Sequence, residues 1–436
     1  MNWLSAPFAF ERHQTSLGRE VVAGLTTFTT MSYIVVVNPA ILANAGVPEG
    51  PSLVATALVA AFGCWLMAFY ANRPFAIAPY MGENAFIAYT VCKRLGFSWQ
   101  IALTAVFVAG VAFILLTALH LRKWLLEAVP LSLRYSFAVG LGLFLTFIGL
   151  NESGLVKVGV PGAPVQAGHL TSGPALVAMF GFVLIAALVI RKVPGAILLG
   201  IVIAALVAFA TGTAPTPHRL VSLPPSLSPI FWKLDFHGAF TWRAFPIMLT
   251  LFIMAFVDTM GTLIGLSARA GFLDQDGHLP QIERPMMVDA ISTTLAPVLG
   301  TSISGAYIES ATGIEVGGRS GFTVLVTGTC FLLALFFTPF VSAIPPQAYG
   351  PALVIVGLFM LAPITRIDFD DYSESIPAFG VVVMMVFTFN IAIGICTGFV
   401  LYPICKLVAG KYRQLKSGLW VLAALSLMFF VFYPYR

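Results

Sequence analysis

Two stretches of this chain decide its fold: PYMGENAFIAYTVC at 79–92 and SGAYIESATGIEVGG at 304–318. Each is a short apolar run broken by glycine and carrying acids, Glu83 in the first and Glu309 and Glu315 in the second. Around them the sequence is far more uniform. Hydrophobic residues make up 59% of the 436 and charged residues only 9%, and the mean hydropathy is +0.94. A soluble domain usually has about 25% charged residues, and a surface with so few could not face water.

The apolar residues fall into blocks near the ~20 residues a helix needs to cross a bilayer. They read as 22–45, 53–71, 79–93, 100–119, 132–150, 173–190, 194–212, 245–268, 286–299, 304–316, 321–343, 349–364, 375–389 and 390–409, with a further block at 418–434 after a basic loop. The expectation is an all-α polytopic membrane protein, with the lipid bilayer as its medium. The two broken stretches are then the third and the tenth blocks, in corresponding places of two halves. A matched pair of interrupted segments is the strongest sequence pointer to the central site of a carrier. The halves echo each other elsewhere: TTFTTM at 26–31 faces FVDTM at 256–260.

The net charge of +5 is spread between the blocks, at Arg122-Lys123, Arg191-Lys192 and Lys411 to Lys416. That is the pattern of cytoplasmic loops rather than of a nucleic-acid surface. It places the N-terminus in the cytoplasm, with His120 to Arg134, Arg191-Lys192, Ala268 to Arg284 and Lys411 to Lys416 inside; Lys93-Arg94 falls on the wrong side. The start of the chain carries Glu11, Arg12, His13, Arg19 and Glu20 before any long apolar run, unlike a cleavable signal. The five cysteines lie scattered in apolar stretches without a CxxC pair, so no disulfide framework, zinc site or other metal site is expected.

A charged side chain at the bilayer centre costs about 2.5–3.5 kcal/mol on insertion scales. Four acids therefore stand out: Glu83, Asp258 in LFIMAFVDTMGTLIGL, Asp289 in MMVDAISTTLAP, and Glu309. Their plainest use is a hydrogen bond between helices or a salt bridge to Arg269 or Arg319. Several acids converging on broken helices favour a solute site. Carboxylates at Asp258 and Glu309 can accept the N–H donors of a hydrogen-bonding solute such as a heterocyclic base. Backbone amides at a half-helix start can serve its acceptors, with Gly82 and Gly305 allowing close approach. Phe28, Phe86 and Phe256 are candidate stacking surfaces. An acid in an apolar cavity can also take a proton on one side and release it on the other; Asp258 and Asp289 are the candidates. GGRSG at 317–321 lacks the spacing of a phosphate loop, and neither HExxH nor GxSxG occurs, so an enzyme reading has no nucleophile–base pair to rest on. An anion carrier is disfavoured by pocket acids, and a channel by the absence of a filter-like ring.

Four stretches, TTFTTMSYIVVVNPAIL at 26–42, MGENAFIAYT at 81–90, FVDTMGTLIG at 256–265 and GTSISGAYIESATGIEVGGRSG at 300–321, resemble the nucleobase–ascorbate, or xanthine/uracil permease, superfamily. Within it the chain is most similar to the AzgA-like adenine, guanine and hypoxanthine permeases. The resemblance implies fourteen transmembrane segments in two inverted repeats of seven, short extended segments at broken spans 3 and 10, and an elevator-like motion of a core against a gate. It divides the chain into a cytoplasmic N-terminus (1–21), core spans 1–4 (22–119), gate spans 5–7 (120–212), an extracytoplasmic linker (213–244), core spans 8–11 (245–343), gate spans 12–14 (344–409) and a C-terminal segment (410–436). It also implies import of a purine nucleobase with protons across the plasma membrane, no cofactor, and a homodimer joined through the gate. The alternatives kept are another nucleobase-like solute (xanthine, uracil) or an anion on the same architecture. By motif position the substrate residues are Asp258, Glu309, Asn84, Glu83, Thr29, Thr30, Ala306 and Ser310. Asp289 matches the span 9 acid. Glu83 is a departure, since the family usually has an apolar residue, often Leu, before that asparagine.

Overall fold

The computed structural model describes residues 8–119, 129–160, 163–217, 219–273 and 279–432. The extreme N-terminus, most of the basic loop from His120 to Arg134 and part of that from Ala268 to Arg284 lie outside these ranges, so those orientation signals rest on sequence. In lipid every backbone N–H and C=O must find a partner within the protein, which makes helices of the apolar blocks. Among the described residues, nine helices are long and apolar enough to cross a membrane, and three more (Ala196–Ala210, Tyr372–Phe387 and Ser417–Val431) are apolar but shorter.

The chain begins with α1 (Leu17–Met31) and α2 (Ile34–Ala43), then α3 (Glu49–Leu66), which runs into a π-turn at Met67–Ala71. The third block is indeed broken. It forms a strand β1 (Ile77–Pro79), a short helix α4 (Met81–Ala85) and a π-helical stretch Phe86–Arg94. Next come α5 (Trp99–Ala118) and α6 (Leu131–Glu152). A hairpin of β2 (Val156–Val160) and β3 (Ala163–Ala167) follows, then α7 (Gly173–Ile190) and α8 (Ala196–Ala210). The hairpin corrects the all-α expectation. Its five-residue strands are too short and too polar to stand out as apolar blocks of membrane-crossing length.

The second half opens with the small α9 (Phe236–Ala239), then α10 (Phe245–Ala270) and α11 (Glu283–Leu299). The tenth block is broken like the third, into a strand β4 (Ser304–Ala306) and a short α12 (Ser310–Glu315). After it lie α13 (Gly321–Ala334), the short α14 (Thr338–Val341), α15 (Pro346–Phe359), α16 (Tyr372–Phe387), α17 (Ile391–Val408) and α18 (Ser417–Phe432).

Two sets of helices form. In one, α1 packs on α12 and α13, α3 on α11 and α13, and α5 on α10 and α11. In the other, α6 packs on α15 and α16, α7 on α8 and α15, and α17 on α16 and α18. Lipid supplies no hydrophobic drive between spans, so close backbone approach at small residues does the work. The α6–α15 seam shows it: a Cβ at Gly142 would sit 2.7 Å from Gly357 O, and one at Gly149 2.5 Å from Gly350 O. Glu20, grouped by sequence with the polar N-terminus, is instead fully buried in α1. Its carboxylate accepts from Arg319 N (3.0 Å), Ser320 Oγ (2.8 Å), Thr323 N (3.1 Å) and Thr323 Oγ1 (2.5 Å), capping the exposed amides at the start of α13.

Candidate functional site

The two broken segments meet as an antiparallel pair, with Ile77 opposite Ala306, Ala78 opposite Gly305 and Pro79 opposite Ser304. Three-residue strands in a membrane protein leave backbone groups needing partners, and the same solution appears twice. Ile77 N donates to Cys64 Sγ (3.2 Å) and Cys64 Sγ donates back to Ile77 O (3.5 Å). In the other half, Ser304 N donates to Thr293 Oγ1 (3.3 Å), which donates to Ser304 O (2.7 Å). Beyond the pair, Tyr80 N reaches Ile303 O (2.9 Å) and Tyr307 N reaches Ala76 O (2.8 Å). The two tyrosines then cross: Tyr80 Oη donates to Ala306 O (3.2 Å), Tyr307 Oη donates to Pro79 O (2.5 Å), and their rings stack at 5.9 Å. Gly305 makes room for this, because a Cβ there would lie 2.4 Å from the Tyr80 hydroxyl.

This tyrosine pair is the hub of the four acids. Tyr80 lies within electrostatic reach of Asp289, Asp258 and Glu83, and Tyr307 within reach of Glu309, Glu83 and Asp258. Asp289 is fully buried on α11, and its Oδ2 accepts from Ala306 N (3.1 Å), holding β4. Glu309 stands at the entry to α12, half-buried, and accepts from the Tyr33 hydroxyl (2.6 Å). Asp258 sits near the midpoint of the 26-residue α10. It lines a small pocket with Ile253, Met254 and Val257 of its own helix, Phe137 and Leu141 of α6, Met385 of α16, and Ile391 and Ile395 of α17. The pocket therefore lies where the two helix sets face each other. The Glu83 carboxyl is within electrostatic reach of that of Asp258. Glu83 is fully buried, and neither of its oxygens has a satisfactory hydrogen-bond donor.

The salt bridges considered for these acids are not made. Arg269 pairs with Glu315 (2.5 Å) in an exposed bridge, which also takes Glu315 out of the centre. Arg319 donates to Ile314 O (2.5 Å) and Gly318 O (2.8 Å).

The remaining candidates sit close by in supporting positions. Asn84 is fully buried, donating to Asn38 Oδ1 and accepting from Ser302 Oγ. Asn38 in turn donates to Thr56 Oγ1 (2.6 Å) and Thr301 Oγ1 (3.0 Å). This network ties α2, α3 and α4 to the approach to β4. Ser310 Oγ accepts from Ala76 N (2.9 Å), and the Ala306 amide is held by Asp289. Thr30 accepts from Thr312 Oγ1 (3.2 Å), tying α1 to α12, while Thr29 abuts Gly195 between α7 and α8. Phe28 packs edge-on against Phe331, and Phe256 against Phe113. Phe86 is 1% exposed. None of the three is among the pocket-lining residues. The ring that does line the pocket is Phe137, which sequence reading passed over along with Tyr33, Tyr80 and Tyr307. The available signal was a tyrosine shortly before an acid in both broken stretches.

A model described as a permease family, that of the xanthine/uracil permeases, matches residues 18–401. The chain belongs to this family. The permease is 44% identical to a putative permease of Methanocaldococcus jannaschii, over 99% of each chain. It is 38% identical to adenine permease AdeP of Escherichia coli, over 98% of this chain and 96% of that protein. To guanine/hypoxanthine permease PbuG of Bacillus subtilis it is 37% identical, over 98% and 99%. The fold is similar to that of the transmembrane domain of the cyanobacterial bicarbonate transporter BicA, with a TM-score of 0.64 at 17% identity over 88% of this chain and 97% of that one. This is thus a multi-pass membrane protein of a nucleobase permease family, whose relatives are transporters rather than enzymes.

In this permease the helix sets are also joined beyond the pocket. At the far end of α6, Glu152 accepts from Tyr89 (2.7 Å) on the first broken segment and from Tyr349 (3.3 Å) on α15. Thr90 donates to Phe389 O (3.3 Å). Phe389 itself adopts a left-handed backbone (φ 51°) and wedges its ring between Tyr89 and Phe144.

Proposed function

We propose that this permease imports purine nucleobases (adenine, guanine or hypoxanthine) by proton symport. The observation that carries the reading is Asp258, an acid at mid-helix opening onto a pocket between two helix sets, with Glu83, Asp289 and Glu309 gathered round the same tyrosine pair. Asp258 and Glu309 accept the donors of the base, and Phe137 and Leu141 cover its rings. Asp258 and Asp289 are the acids first in line to carry protons. The printed names of the relatives, adenine and guanine/hypoxanthine permeases at 37–38% identity, support the solute class.

The architecture under this proposal is fourteen spans in two inverted repeats. The matched bonding of Cys64 with Thr293 and of Tyr80 with Tyr307 favours it. The helix set from 22–119 and 245–343 acts as the core, and the set from 120–212 and 344–409 acts as the gate and dimer face. The core then moves like an elevator. With the N-terminus cytoplasmic, the Glu152 junction lies on the outer side, so the conformation described is closed to the outside.

The test is uptake of labelled adenine, guanine, hypoxanthine, xanthine and uracil into cells lacking their own carriers, with and without a protonophore. Saturable purine uptake that collapses with the proton gradient is expected. Uptake of uracil or xanthine alone would move the solute class, and uptake of no purine would overturn the reading.

A further inference from the structure

The Glu83–Asp258 pair is an unusual piece of chemistry. Two carboxyl groups lie within electrostatic reach of each other inside the protein, and neither oxygen of Glu83 has a hydrogen-bond partner. The groups facing Glu83 are Asp258 from α10, Tyr80 from the turn between β1 and α4, and Tyr307 from beyond β4. From α6 the neighbour of α4 is Leu141, packed on Gly82, and from α2 it is Asn38, already bonded to Asn84. Among the described residues no lysine or arginine reaches the pair. Two ionised carboxylates cannot sit in contact without a cation, whereas a single proton between them turns repulsion into a strong hydrogen bond.

The matched half sharpens the point. The crossed tyrosine bonds place Glu83, three residues after Tyr80, where Ser310 stands three residues after Tyr307. Ser310 is engaged by the Ala76 amide. Glu83 has no such structural bond, so its carboxyl is free for another purpose. Asp289, by contrast, has one oxygen held by the Ala306 amide and only the other without a partner.

We propose that Glu83 shares the proton-coupling role with Asp258 in this permease, ahead of Asp289. It holds the transported proton and donates it in a hydrogen bond to Asp258, leaving the other Asp258 oxygen to accept an N–H of the base. One proton is taken up with the solute from the outer side. It leaves Glu83 through Asp258 to water when the pocket opens inward; that water solvates the two ionised carboxyls, which then separate until the next proton arrives from the outer side and restores the shared pair. This assignment rests on the reading of the protein as a proton-coupled purine permease.

The experiment uses the full chain in proteoliposomes and compares purine exchange with accumulation driven by an imposed pH gradient. Glu83→Gln keeps the shape and a donor but cannot release a proton. Because Glu83 also borders the solute, exchange is expected to be weakened but to remain measurable, whereas gradient-driven accumulation is expected to vanish. Glu83→Ser, copying the matched position, carries the same expectation if Glu83→Gln does not insert. Either variant accumulating purine as wild type does overturns the assignment while leaving the permease reading intact. Wild-type protein that exchanges purines without responding to the pH gradient overturns proton coupling itself, and the assignment with it. In wild-type protein alone, purine addition is expected to perturb a protonated-carboxyl infrared band that shifts when glutamate is isotope-labelled. Absence of any such glutamate band also overturns the assignment.

Discussion

In the first half of the molecule the chain crosses the centre at Ile77–Pro79 and turns at Tyr80 into α4; in the second it crosses at Ser304–Ala306 and turns at Tyr307 towards α12. The backbone is treated alike in both. A side chain of the preceding helix, Cys64 or Thr293, serves both polar groups of the first strand residue, and each tyrosine hydroxyl reaches the opposite strand. The side chains beyond this frame differ. Gly82 and an unbonded Glu83 follow Tyr80, whereas Tyr33-bound Glu309 and amide-bound Ser310 follow Tyr307. Positions shared by the halves hold the crossing together. Positions that differ carry the chemistry.

Eight substitutions test that division, beginning with the largest effect. Asp258→Asn and Glu309→Gln strike acids that only the second half supplies. Each is expected to lower purine uptake by about a hundredfold or more while the protein remains in the membrane at normal amount, since a buried charge-assisted hydrogen bond to the solute is lost; labelled uptake with surface quantification reads it. Wild-type-like transport in both would detach the acids from the site. Gly305→Ala puts a methyl group against the Tyr80 hydroxyl. Overpacking of this kind costs about 1–3 kcal/mol, and a lowered unfolding temperature in detergent should report it. The first half already has Ala78 at the matched place, so Ala78→Gly should perturb the protein less.

Ser310→Ala strands the buried Ala76 amide and is expected to cost about 1–3 kcal/mol. Glu83→Leu leaves no such group behind, so it should spare stability while changing competition among purines. If Ser310→Ala were neutral and Glu83→Leu unfolded the protein, the division between frame and chemistry would be reversed. The smallest effects are expected from Tyr80→Phe and Tyr307→Phe. Each removes one hydroxyl–carbonyl bond worth about 1 kcal/mol, and the two together should exceed the sum if the bonds cooperate, as a double-mutant cycle would show.

The two interruptions were legible because glycines and acids are conspicuous in runs that are otherwise apolar. The four central acids were legible for the same reason, since a carboxyl in lipid needs a cause. Glu315, in the same broken stretch as Glu309, is a surface partner of Arg269, because sequence spacing does not reveal how soon after a half-helix the chain regains the surface. Asn84 was readable as special, yet its engagement by Asn38 and Ser302 was not, because those partners come from distant parts of the chain. The stacking candidates fared similarly. Phe28, Phe86 and Phe256 sit in the right segments, but only the packing of α6 against α10 brings Phe137 to the pocket.

The sequence by itself determined that this chain lives in a membrane, that it is mostly helical, where two helices must break, and which acids lie within the apolar blocks. Those properties follow from local composition, because lipid penalises any unpaired polar group wherever it occurs. Only the tertiary structure decided which of the acids meet. A three-residue strand has no stability alone, so Ile77–Pro79 and Ser304–Ala306 exist as strands only by pairing with each other. That pairing draws Glu83, Asp258, Asp289 and Glu309 around one pair of tyrosines.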